Sequence, residues 1–253
     1  DTVVHLAALK SVNESMQFPQ KYSENNITGT LSLLETMHEN NVKHIIFSST
    51  AAVYGEPEYL PLDEKHPLKP INFYGYTKLS AENLLEWYKE LIGISYISLR
   101  YFNAAGYDAS GRIKYLEKNP QNLIPIIMEV AAGKRDKVDV FGDNYDTPDG
   151  TGIRDYIHVS DLVKAHLNAL ELIQTNQSAL INLGSDQQYS VMDVIKIAKN
   201  ISGKDIPYNI VQRREGDPAK IYASTEYAKK ILNWSAENSS LENIIETTWR
   251  IYK

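Results

Sequence analysis

Tyr74 and Lys78 stand four residues apart at the head of a stretch whose apolar residues recur at helical spacing, which predicts a helix over residues 74–92. On a helix, residues at that spacing share one face with their Cβ atoms about 5–6 Å apart, so the phenol and the ammonium can meet. A free tyrosine ionises near pH ~10, too high for a base at neutral pH, but a fixed cation beside it favours the phenolate. The pair therefore suits removal of a hydroxyl proton by Tyr74, with Lys78 as the cation. By itself Tyr-x-x-x-Lys is a weak signal: in a chain with 17 tyrosines it also describes an ordinary solvated helix face. A second cluster, SSTAAVYG (48–55), follows the β-type run His44, Ile45, Ile46, Phe47. Ser48, Ser49 and Thr50 would then lie at the carboxyl end of a strand, where open α/β sheets bind ligands. Such hydroxyls also serve as turn residues that satisfy local backbone groups. A hydroxyl cluster after one strand, with Tyr-x-x-x-Lys opening the next helix, is far more specific than either part.

The elements that must position these residues are legible as alternation. Short β-branched runs, VVHL (3–6), HIIF (44–47) and ISYISL (94–99), are separated by helical patterns. That is the sequence form of repeated strand–helix units, and it predicts an α/β chain with a doubly wound parallel sheet of Rossmann type. From Tyr107 onward Gly111, Pro120, Gly142, Pro148, Gly150 and Gly152 break the pattern into loops around a helix at about 123–132. Two further helical patterns, 189–200 and 240–252, flank an arginine-bearing segment at 211–217. The domain expectation is a dinucleotide-binding part over 1–106 and a smaller mixed α/β substrate-binding part over 107–253, with residues of about 150–185 returning to the first. No G-x-G-x-x-G or G-x-x-G-x-x-G occurs in the chain, although a dinucleotide fold normally opens with such a turn. The expectation is that this unit, with the first strands, lies upstream of Asp1.

Composition narrows the function classes. A net charge of −6 with both signs interspersed gives no basic surface for nucleic acid or an anionic membrane. An anionic ligand must be met by a few placed arginines and lysines. The chain has no cysteine, which excludes disulfides, a thiol nucleophile and thiolate metal sites, and no metal is expected. No apolar run approaches the ~20 residues of a membrane helix and no signal peptide is visible, so the expected location is the cytoplasm.

Eight segments in order, HLAALKSV (5–12), NNITGTLSLLE (25–35), FSSTAAVYGEP (47–57), YGYTKLSAE (74–82), LRYFNAAG (99–106), DGTGIRDYIHVSDL (149–162), INLGS (181–185) and RREGDPA (213–219), span nearly the whole chain. Together they resemble the UDP-glucose 4-epimerases among the extended short-chain dehydrogenases. The resemblance implies NAD as cofactor, a UDP-hexose as substrate and a homodimer. It makes Tyr74 the base, Lys78 its electrostatic partner and a ligand of the nicotinamide ribose, and Thr50 the hydroxyl that bonds the sugar O4. Leu6, Ala7, Ala8, Leu9, Lys10, Asn25 and Phe102 would line NAD. Asn103, Asn122, Leu123, Arg154, Arg214, Asp217 and Ile221 would hold the UDP-sugar. The implied chemistry is removal of the O4 proton by the Tyr74 phenolate as the C4 hydride passes to NAD+, rotation of the 4-keto sugar, and hydride return to its other face. Arg154 and Arg214 suit a diphosphate because guanidinium pairs bidentately with phosphate oxygens.

Two details depart from the family. RIKYLEKNPQ (112–121) replaces the usual acidic stretch before Asn122, and Ile221 stands where some members carry a bulky aromatic residue. Among rivals, sugar-nucleotide 4,6-dehydratases need an Asp-Glu pair after the hydroxyl residue, where this chain has Ala51 and Ala52, which cannot transfer protons. A uronic-acid epimerase or decarboxylase differs mainly in how the pocket meets C6, and a non-catalytic NAD-binding protein would have no need of Tyr74 as a base. These alternatives stay open at the level of sequence.

Overall fold

A computed structural model of the chain describes residues 1–214 and 216–253; Glu215, within the RREGDPA motif, lies outside the described residues. In chain order the elements are β1 (Thr2–His5), α1 (Val12–Gln17), α2 (Pro19–Tyr22), a π-helical turn (Ser23–Thr28), α3 (Gly29–Glu39), β2 (His44–Thr50), a 3-10 turn (Ala51–Val53), α4 (Phe73–Ile92), β3 (Ser95–Tyr101) and β4 (Asn103–Ala105). There follow α5 (Leu123–Ala131), β5 (Val138–Phe141), β6 (Ile153–Arg154), β7 (Tyr156–His158), α6 (Val159–Ile173), β8 (Ala179–Leu183), β9 (Tyr189–Ser190), α7 (Val191–Ser202), β10 (Tyr208–Val211), β11 (Lys220–Ile221), α8 (Glu226–Leu232) and α9 (Leu241–Tyr252). Two compact units result. The first comprises Asp1–Tyr101, Lys164–Leu183 and Thr225–Trp234; the second comprises Phe102–Val163, Gly184–Ser224 and Ser235–Lys253.

The first unit is built on a parallel sheet of order β1-β2-β3-β8, the Rossmann-like α/β arrangement that the alternation predicts. Its core packs Ile45, Phe47, Ile94 and Tyr96 of the sheet region against Leu34 and Met37 of α3 and Ala81 and Leu85 of α4. Helix α4 begins where Asn72, in extended conformation, accepts a hydrogen bond from the Gly75 N–H at 2.8 Å, and ends at Gly93 in the left-handed region (φ 79°). Its buried face, Gly75, Lys78, Ala81, Glu82 and Leu85, follows the helical period and includes two charged residues. Gly75 is obligatory there, since a Cβ would stand 2.4 Å from the Ala52 carbonyl oxygen.

Ser48, Ser49 and Thr50 form the carboxyl end of β2 itself, extending the strand beyond Phe47 in register with Leu99, Arg100 and Tyr101. The equally long partner strand β3 supplies ladder hydrogen bonds, so these residues need no local turn to satisfy their backbones.

The second unit is mixed α/β, with small sheets β10-β5, β11-β6-β9 and β4-β7. Its core joins α5, α7 and α9 through Ile127, Met128, Val194, Ile195, Ile244 and Ile245. The helical pattern expected from residue 189 starts two residues later, because Ser190 and Asp193 form a capping box that leaves Tyr189 and Ser190 in strand β9. Ile221 lies in the short strand β11, Lys220–Ile221. Among the described residues, no helix is long and apolar enough to cross a membrane.

Candidate active site

Strands β1, β2 and β3 run parallel, so His5, Thr50 and Tyr101 end at one edge of the first unit's sheet, with Leu6, Ala7, Ala8, Leu9 and Lys10 continuing from β1. The Tyr74 backbone N–H donates to Ser15 Oγ at 3.0 Å, and the Thr50 hydroxyl lies close enough to the phenol to favour its ionised form. Thr50 also caps the 3-10 turn that follows it, its Oγ accepting from the Ala52 N–H at 3.1 Å. Lys78, 3% exposed, donates from Nζ to the Ser48 carbonyl at 2.8 Å and lies 4.7 Å from the Phe47 ring centroid. Thr50, Tyr74 and Lys78 therefore come together, but the ammonium is bound to β2 backbone and not to the phenol.

That geometry reverses the electrostatics expected from spacing. Burial pushes the Tyr74 phenol above its ordinary value, and the Thr50 hydroxyl only partly offsets it. Burial also lowers Lys78 to about 8, against the opposing pull of the Glu82 carboxylate. A cation brought close to the phenol would favour its ionised form.

The segment after β1 is held open toward solvent: Leu6 is 61% exposed. Asn26 braces it from within. Buried Asn26 accepts from the Leu9 N–H at 2.9 Å and donates from Nδ2 to the Leu9 carbonyl and Thr77 Oγ1, both at 3.0 Å, whereas Asn25 and Lys10 are exposed. Sequence reading missed Asn26 because two adjacent asparagines on a helical turn look alike until one is turned inward. An exposed apolar segment at the sheet's carboxyl edge beside the Tyr74 and Lys78 side chains fits the nicotinamide-ribose end of NAD.

In the second unit, β6 pairs with β11 so that Arg154 stands opposite Ile221. Arg154 forms an ion pair with Asp217 through Nη2 and donates from Nη1 to the Ile153 carbonyl at 2.8 Å. Arg214 is exposed, with its guanidinium 3.8 Å from the Phe141 ring centroid, and Arg213 lies 3.7 Å from that of Tyr145. Arg154, Arg214, Asp217 and Ile221 are thus one neighbourhood. Asn103 Nδ2 donates to the Asp155 carbonyl at 2.9 Å, and Phe102 is buried. Asn122 is the exposed residue preceding α5, with no side-chain cap bond, and Leu123 packs on the unit's core. Asp155 is the polar centre that sequence reading passed over. It is fully buried, accepts from the Ser185 N–H (2.8 Å) and Oγ (2.6 Å) and the Ala223 N–H (3.2 Å), and burial raises its carboxyl to about 6.

A parallel sheet of Rossmann type with a hydroxyl, a tyrosine and a lysine converging at its carboxyl edge is the arrangement of a short-chain-dehydrogenase-like enzyme. A model of the NAD dependent epimerase/dehydratase family matches residues 1–184, and the chain belongs to that family. Over 254 residues it is 48% identical to the UDP-glucose 4-epimerase of Halalkalibacterium halodurans, a match covering 100% of this chain and 76% of that protein. The solved UDP-glucose 4-epimerase of Brucella ovis in complex with NAD superposes with a TM-score of 0.96 at 40% identity, over 99% of this chain and 78% of that one. That of Bifidobacterium longum in complex with NAD+ and UDP superposes with a TM-score of 0.94 at 42% identity, over 99% and 76%.

Proposed function

We propose that this chain catalyses the NAD-dependent interconversion of UDP-glucose and UDP-galactose at carbon 4 through a transient 4-keto sugar, with Tyr74 as the base. The observation that carries this reading is the approach of the Thr50 hydroxyl to the Tyr74 phenol at the carboxyl end of β2, with the Lys78 ammonium anchored on the Ser48 carbonyl one helical turn along α4. NAD supplies the hydride acceptor, and then the donor, for C4. The chain's own residues do the rest. Thr50 orients the sugar O4 toward the phenol, Tyr74 takes and returns its proton, and Lys78, anchored on the Ser48 carbonyl, holds the nicotinamide ribose. Leu6, Ala7, Ala8, Leu9, Lys10, Asn25 and Phe102 are assigned to NAD. Asn103, Asn122, Leu123, Arg154, Arg214, Asp217 and Ile221 are assigned to the UDP-sugar. Firm binding of UDP by the arginines leaves the hexose free to present either face. The names of the relatives, UDP-glucose 4-epimerase at 42–48% identity, favour this over dehydratase chemistry, and Ala51 and Ala52 offer no proton-transferring side chain after Thr50. The reading includes a homodimer in the cytoplasm, and the exposed apolar side chains Trp87 (64%) and Leu91 (75%) on α4 suit a partner subunit.

The test is Tyr74→Phe assayed with UDP-galactose. Loss of a general base costs about 10²–10⁴ in rate, and UDP binding should survive. Retention of more than about a tenth of wild-type turnover excludes Tyr74 as the base.

A further inference from the structure

Arg100 lies in β3, a strand buried along its length, and is itself 0% exposed. A charge in the middle of a parallel sheet needs partners, and each of the three guanidinium nitrogens of Arg100 has one. Its Nε and Nη2 donate to the two oxygens of Glu82 at 3.0 and 2.6 Å, while Ser98, two residues back on the same strand face, donates to Glu82 Oε1 at 3.0 Å. The remaining arm, Nη1, donates to the Tyr54 hydroxyl at 2.9 Å. That hydroxyl in turn donates to Asn182 Oδ1 at 2.6 Å, and Asn182 donates from Nδ2 to the Leu62 carbonyl at 3.1 Å and from its backbone N–H to Glu64 at 2.8 Å. One guanidinium thus grips two different elements. Glu82 belongs to α4, one turn beyond Lys78 and two beyond Tyr74; Tyr54 closes the 3-10 turn that Thr50 caps. The two elements meet at Gly75 and Ala52, where there is no space for even a methyl group.

Replacing a buried ion pair by apolar groups of similar volume is often neutral or stabilising, so this fork is not explained by stability alone. Its geometry has a more specific consequence. Reacting groups must be held within about 0.5 Å of the productive arrangement, and misplacement by about 1 Å can cost 10²-fold in rate. Resting on the function proposed above, we propose that Arg100 is a positioning residue: its fork to Glu82 and its arm to Tyr54 fix Tyr74 and Lys78 against Thr50. Arg100 touches neither substrate nor cofactor. Glu82 adds an electrostatic part, since its carboxylate favours the charged form of Lys78.

The experiment compares the wild-type holoenzyme with Arg100→Met/Glu82→Leu, which exchanges the pair for apolar groups, with Tyr54→Phe, which removes one hydroxyl, and with Tyr74→Phe as the control. Turnover of UDP-galactose is followed across pH. For the double variant, kcat should fall about 10- to 100-fold with KM changed less than about threefold. The high-pH decline in kcat/KM should move to lower pH, because Lys78 loses its supporting carboxylate. Tyr54→Phe should lower kcat about 10-fold with KM and pH profile unchanged. A merely structural role would alter melting temperature without this division between kcat and KM. A folded double variant with wild-type kcat and pH profile overturns the inference; should the double variant fail to fold, wild-type kcat in Tyr54→Phe overturns it. If Tyr74→Phe is inactive while the other two are normal, only the positioning role fails; if Tyr74→Phe is also active, the assignment of the base fails.

Discussion

The chain carries two arginine–carboxylate pairs of contrasting design. Arg100 and Glu82 have side chains 0% and 3% exposed, with every guanidinium arm committed to the protein. Arg154 and Asp217 have side chains 15% and 34% exposed and lie on short strands and loops. The desolvation cost of the first pair is offset only by full mutual satisfaction, so neither partner can release the other. In the second, water already reaches both groups, so changing the partner of Arg154 would cost little. Burial thus separates an arginine that holds the site's shape from one that can hold a ligand.

The largest expected effect is on stability. Glu82→Gln leaves Arg100 charged and under-partnered in the core and should destabilise the chain by about 3–5 kcal/mol, whereas Asp217→Asn should cost less than about 1 kcal/mol. Urea unfolding of both variants checks this, and equal losses would erase the distinction between the two pairs.

Next comes the buried cation that Glu82 supports. Lys78 ionises at about 8 in the folded protein against 10.5 when free, so between those values the unfolded chain binds the additional proton and stability rises with pH. Below pH 8 the buried charge costs about 3 kcal/mol. Lys78→Met should therefore stabilise the cofactor-free protein at pH 7, with the gain shrinking as pH climbs from 8 to 10.5. Paired unfolding curves at the two ends of that window test it; a gain independent of pH would show that the ammonium is not what burial disfavours.

The smallest effect concerns specificity beside the exposed pair. Ile221 faces Arg154 across the β6–β11 register and is half-buried. Isoleucine at this position leaves space that an aromatic ring would fill, so the enzyme is expected to accept UDP-N-acetylglucosamine as well as UDP-glucose. Ile221→Tyr should remove the acetylated activity and leave the other, a discrimination larger than the ~10–200-fold of a single methylene. The measurement is kcat/KM for both sugars in both proteins, and a wild type inactive on the acetylated sugar while turning over UDP-galactose rules it out.

How much of this was legible in the sequence depended on how far apart along the chain the cooperating groups lie. Tyr74 and Lys78 are one helical turn apart, so helix geometry alone puts them on one face, and the apolar period announces the helix. The strand–helix alternation determined the parallel sheet in the same local way, through burial periodicity and the helix-bearing crossovers that parallel neighbours require. Arg154, Arg214, Asp217 and Ile221 were picked out by resemblance; that Arg154 faces Ile221 and pairs with Asp217 was decided by the joining of β6 to β11. The network around Arg100 carried no local signal. In SYISLRY an arginine reads as the solvated end of a strand, and its partners Glu82 and Tyr54 lie 18 and 46 residues away, with Asn182 a further 128 beyond Tyr54. Likewise the bracing of the segment after β1 by Asn26, the anchoring of Lys78 on the Ser48 carbonyl and the raised ionisation of Tyr74 were decided only in the tertiary structure. Each depends on which groups are desolvated together, and desolvation is a property of the packed chain and not of any segment of it.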